Sequence, residues 1–157
     1  MDFTLSTYSA LLESLKKKNY CFMTFEAYSS STPAGRTVVL RHDVDLLPQN
    51  ALATARLEHS LGICATYYFR AVPESWDESI IREIASMGHE IGYHYECLTT
   101  CRGDVDAAWE DFIDSSHKRA FMMSCPTNKD IMCMDNWTVT NSIVTPAEYE
   151  YWEGNAV

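Results

Sequence analysis

Residues 37–45 read TVVLRHDVD, and the fold follows from how this stretch is read. Val38, Val39 and Leu40 run straight into Arg41, His42, Asp43 and Asp45. The near-continuous apolar start predicts a strand, Thr37–Asp43, buried on both faces as in a parallel sheet. A buried strand that ends in two carboxylates and a histidine has the make-up of an active-site floor. In extended backbone alternate residues share a face, so Arg41, Asp43 and Asp45 point one way and His42 and Val44 the other. Two carboxylates at one strand end repel each other. A divalent cation would relieve that repulsion, or one carboxyl would keep a proton. The plainer alternative is that Asp45 caps the following helix and Asp43 pairs with Arg41.

Working outward, the chain alternates strand and helix. Pro48 suits the first turn of a helix whose apolar side is Ala51, Leu52, Ala55 and Leu61, with Gly62 as a left-handed C-terminal cap. Ile63–Phe69 reads as the next strand. Ser75-Trp76-Asp77-Glu78 has capping-box form ahead of Ile80, Ile81, Ile84 and Met87. Gly88 ends that helix and His89–His94 follows as a third parallel strand. Asp104 caps a helix expected to reach about Ala120, with Ala108, Trp109, Phe112 and Ile113 facing inward. Upstream, Tyr8, Leu11, Leu12 and Leu15 mark a helix capped by Ser6. Tyr20–Phe25 alternates as a short strand, and Ser29–Gly35 is a loop. Repeated strand–helix units predict an α/β fold with right-handed crossovers. We expect a single domain over 1–157, with 121–157 an irregular tail that shows no sustained period.

At 157 residues a single domain buries about two thirds of its unfolded surface. The formal charge of −10 argues against nucleic acid, because phosphate binding needs clustered Lys and Arg. Lys16–Lys18 is the one basic run, at a helix end where cations suit the dipole. No apolar run is long enough to span a bilayer. The start, MDFTLSTY, has neither a basic nor an apolar signal region, so a cytoplasmic location with reduced cysteines is expected.

The second charged cluster is GHEIGYHYE, Gly88–Glu96. His94 shares a face with Glu90 and Glu96 and lies near the C-terminal end of its strand, the end at which parallel α/β sheets build sites. His94 is therefore the ligand candidate. His89 lies five positions earlier, on the opposite face, and is read as a hydrogen-bonded structural residue. His59 and His117 are read as surface residues.

These clusters and their spacing resemble the polysaccharide deacetylase family, also called the NodB-homology domain or carbohydrate esterase family four. VVLRHDVD looks like that family's first motif in its HDVD variant. ATYYF, Ala65–Phe69, resembles its "ATFF" strand, and IREIASMGHEIGYH, Ile81–His94, is similar to the lead into its second motif. The resemblance implies a distorted (β/α) barrel and hydrolysis of a non-peptide C–N bond, the deacetylation of an N-acetylated carbohydrate. It implies Asp43 as catalytic base, Asp45 and His94 as metal ligands, and a divalent ion, Zn²⁺ first, that polarises the acyl carbonyl. Arg41, Glu96 and His89 are auxiliary candidates.

Two features depart from the family pattern. A second histidine is expected four residues after the first, where this chain has Leu98. Fewer strand–helix units are legible than the barrel needs, and the later motifs, including the general-acid histidine, have no clear match. The alternative expectation is therefore a truncated, catalytically inactive deacetylase-like domain, whose open strand edges either the tail or a second copy would cover. A flavodoxin-like phosphate binder is disfavoured, since no strand leads into a Gly-rich loop.

Overall fold

A computed structural model describes residues 4–33 and 35–114. The elements run α1 (Leu5–Lys17), β1 (Cys21–Met23), α2 (Phe25–Ser29), β2 (Thr37–Val39), β3 (Arg41–Val44), α3 (Pro48–Ser60), β4 (Thr66–Arg70), α4 (Glu78–Ser86), β5 (Glu90–His94), α5 (Cys97–Thr100) and α6 (Val105–Asp114). The fold is mixed α/β, and every strand pairing among the described residues is parallel. Those strands form a two-stranded sheet, β1-β2, and a three-stranded sheet, β3-β4-β5. They do not close into a barrel.

The opening stretch is not one strand. It breaks at Leu40: Thr37–Val39 pairs with β1, and Arg41–Val44 pairs with β4. The Leu40 carbonyl accepts the Thr66 N–H at 2.9 Å, so the break falls where the chain changes partner. Tyr20–Phe25 is likewise shorter than expected, because Thr24 caps a new helix, α2, by accepting the Ala27 N–H.

The core lies on the helix-covered face of β3-β4-β5. Val44, Tyr67, Phe69, Ile91 and Tyr93 point into it, against Ala55 of α3 and Ile80, Ile81 and Ile84 of α4. Each isoleucine fully withdrawn from water contributes about 1.5–3 kcal/mol, an upper figure because unfolded chains are already partly collapsed. Gly62 (φ 68°) and Gly88 (φ 89°) follow α3 and α4 in the left-handed conformation that favours glycine. The short connections they allow bring each helix back onto the sheet.

Several local expectations are corrected. Thr4, not Ser6, caps α1 by accepting the Thr7 N–H, and Leu11 is exposed while Leu12 is buried. Asp77, not Ser75, caps α4, accepting from the N–H groups of Ser79 and Ile80. The Ser75 hydroxyl instead donates to the Val44 carbonyl and ties the loop after β4 to the end of β3. Asp104 does cap α6, through the Ala107 N–H. Ala108 and Phe112 face inward, whereas Trp109 is 49% and Ile113 43% exposed. The stretch from Ser115 to Ala120, His117 and the tail expected over 121–157 lie outside the described residues.

Candidate functional site

Parallel register sets the polar face. Asp43 pairs with Tyr68, Tyr68 with Gly92, and Arg70 with His94. Partners in a parallel ladder share a side, so Asp43, Tyr68, Arg70 and His94 all project from the face opposite the core. His42 and Val44 point the other way.

Asp43 stands between Arg41 and His94. Arg41 Nε donates to its Oδ1 at 2.9 Å, and His94 Nε2 lies 3.8 Å from its Oδ2. The Arg41 guanidinium rests 4.4 Å over the Tyr68 ring. That ring in turn covers Gly92, where an added Cβ would come within 2.5 Å of it. Burial, aided by the charge of Glu90, pushes the Tyr68 phenol up to about 12, so it is a neutral hydroxyl at ordinary pH. The other ring nitrogen of His94, Nδ1, is buried and has no hydrogen-bond partner among the described residues. A cleft of about 210 Å³ opens beside His94, lined also by Val72, Glu96, Cys97, Thr100 and Asp111.

A second group gathers on Arg70. Its Nε and Nη2 reach Glu96 Oε2 at 2.7 and 2.6 Å. Its Nη1 donates to the Asp45 carbonyl oxygen at 3.4 Å, and the Asp45 carboxylate lies 4.0 Å from Nε. Asp45 does not cap α3, which starts instead from Leu47 in left-handed backbone followed by Pro48.

The structure thus brings Asp43 and His94 together and leaves Asp45 and Glu96 on Arg70. Glu90 is occupied lower on the same face, where it accepts the Thr66 hydroxyl and the Glu26 N–H. Leu98, at the position of the second histidine, packs partly buried against the core. Among the described residues no three His, Cys, Asp or Glu side chains gather as a metal-binding group. The described residues on this face therefore do not supply the three ligands implied by the resemblance.

His89 lies in the core, away from this face. Its Nδ1 accepts the Ala65 N–H at 3.1 Å and its Nε2–H donates to the Ala55 carbonyl at 3.0 Å, which fixes the neutral tautomer. Burial also holds its pKa below the ordinary value. His59 is exposed, and its Nδ1 meets the Met87 carbonyl.

Sequence reasoning missed two residues. Glu58, fully buried, accepts from the hydroxyls of Tyr8 and Tyr67 and from His42 Nε2 at 2.7 Å. Its signal was its place on the inward line of α3, three residues after Ala55. Arg70, one residue past ATYYF, was readable as the next position on the face of Tyr68.

The described chain is thus a parallel α/β fold whose polar face carries an aspartate–histidine pair at strand C-termini. No family model, curated protein or solved structure matches this chain.

Proposed function

We propose that this protein hydrolyses a non-peptide C–N bond, with an N-acetylated carbohydrate as the first substrate class to test. In this reading β3-β4-β5 is part of a distorted (β/α) barrel of the deacetylase type. The observation that carries it is the Asp43–His94 approach of 3.8 Å at the ends of two parallel strands. Asp43 takes a proton from water, the water oxygen adds to the acyl carbon, and the tetrahedral adduct collapses with cleavage of the C–N bond. His94, beside Asp43, gives its proton to the leaving nitrogen and regains one from Asp43, so acid and amine are released and both groups return to their starting states. Arg41 holds the other Asp43 oxygen and keeps the carboxylate turned toward the reacting water.

The test is release of acetate from N-acetylated sugar oligomers, with and without added Zn²⁺, the ion implied by the resemblance. Asp43→Asn and His94→Gln are each expected to lose about 10²-fold or more in turnover. Full turnover in Asp43→Asn would remove it as the base. A second reading, an inactive deacetylase-like domain, is favoured by Leu98 at the second-histidine position. It requires that no acetamide is turned over by the wild type under any of these conditions.

A further inference from the structure

The ion expected on this face would sit against Asp45, with further ligands from the end of β5. A guanidinium is already there. Arg70 lies directly across the β4-β5 ladder from His94. It makes two close contacts to Glu96, one to the Asp45 carbonyl oxygen, and a longer approach to the Asp45 carboxylate. Its side chain is 26% exposed, against 37% for Glu96 and 61% for Asp45, so the Glu96 contacts are the less screened and the Asp45 carboxylate is the partner still open to solvent.

We propose that Arg70 is the built-in cation of this site. Its guanidinium takes the position between Asp45 and Glu96, and those two carboxylates are thereby withheld from a divalent ion. The charge is permanent, because arginine does not release its proton in proteins. It is held by its contacts to Glu96 and Asp45, so it needs little reorganisation when charge develops nearby. Arginine has five N–H donors and its carboxylate partners do not use them all. A substrate carbonyl oxygen lying beside His94 would meet this positive charge as the tetrahedral adduct forms, which is the electrostatic help an oxyanion needs. A divalent ion entering the same place would first have to displace the guanidinium or tolerate its repulsion.

This inference rests on the hydrolytic reading of the face, but its test does not. Zn²⁺ binding to the metal-stripped full chain is measured by equilibrium dialysis for the wild type, Arg70→Ala and Arg70→Ala/Asp45→Asn. Circular dichroism checks each fold, and Arg70→Gln replaces the alanine variant if the latter does not fold. The expected result is that removing the guanidinium tightens Zn²⁺ binding on the order of tenfold or more, and that Asp45→Asn abolishes the gain. Equal Zn²⁺ affinity in wild type and Arg70 variants would overturn the proposal. So would a gain that survives Asp45→Asn, or wild-type turnover that collapses with chelator and returns with Zn²⁺. If no acetamide is hydrolysed yet the Zn²⁺ comparison holds, the hydrolytic reading fails and the cation assignment stands.

Discussion

His42 Nε2 lies 2.7 Å from Glu58 Oε1, on the side of β3 opposite Asp43. Neighbouring residues of one strand thus serve two separate charge clusters. Glu58 is fully buried and collects α1 through Tyr8, β3 through His42 and β4 through Tyr67. The His42 ring also stacks on Tyr67, with centroids 4.5 Å apart. Glu58→Ala removes the acceptor from three donors at once, Tyr67 fully buried and Tyr8 and His42 partly so. We expect it to cost about 3–5 kcal/mol, the range for breaking a buried pair from one side. Asp43→Asn, in an exposed pair, should cost no more than about 1 kcal/mol. Urea unfolding at neutral pH reads both, and a Glu58→Ala loss as small as that of Asp43→Asn would sink the idea of a clamp.

The same cluster gives stability a sign in pH. Burial alone would push the Glu58 carboxyl up, but His42, then the hydroxyls of Tyr67 and Tyr8, outweigh it and hold it below the ordinary 4.5. Burial holds His89 below its ordinary 6.5. For both groups the unfolded chain binds its proton at higher pH than the folded one. Their contributions are therefore present above the unfolded values and lost as pH falls. Unfolding free energy should decline first below about pH 6.5 as His89 is driven to protonate, and again below about 4.5 as Glu58 does. In His89→Asn the first decline should vanish while the second remains, read from melting temperatures across that range.

The Cys97 thiol lies in the wall of the cleft beside His94, buried and near Asp111. Burial, with Asp111 adding to it, pushes the thiol up to about 11 from an ordinary 9.0. Thiolate is the reactive form, and a shift of that size leaves about a hundredth of the usual amount at neutral pH. Peptide-level mass spectrometry after iodoacetamide should find Cys97 alkylated about 100-fold more slowly than the exposed Cys21 and Cys64. Equal rates for Cys97 and Cys21 would mean that the cleft wall opens freely.

Much of the scaffold was legible because it depends on short-range rules. Ile80, Ile81 and Ile84 have helical spacing, and Gly62 and Gly88 mark where helices must stop. Alternation on β3 correctly separated Arg41 and Asp43 from His42. What was not legible depends on register between strands. Nothing in RHDVD says that its strand begins a new sheet at Leu40, a break set by which neighbour each half meets. Nothing in ATYYFR says that Arg70 faces His94, since that follows from the β4-β5 ladder. Glu58 was hidden by a general rule: charged residues in helices are usually exposed, and only three tertiary partners make this one an interior residue.

Gly92 tests whether the polar face works as a unit. It lies under the Tyr68 ring, and a Cβ there would come within 2.5 Å of two ring carbons. The backbone is not in the left-handed region, so Gly92→Ala brings no backbone strain and the contact with Tyr68 is its steric cost. The ring must swing away, and it carries with it the surface on which Arg41 lies. Arg41 is in turn the group that holds Asp43 Oδ1. Crowding of this kind costs about 1–3 kcal/mol, but the larger expected consequence is a loss of turnover of about tenfold or more through the misaimed Asp43. Gly92→Ala/Tyr68→Ser removes the obstructing ring and should recover stability, while activity returns only in part because Arg41 has lost its support. If Gly92→Ala leaves both melting temperature and acetate release unchanged, Tyr68 does not link Gly92 to Asp43.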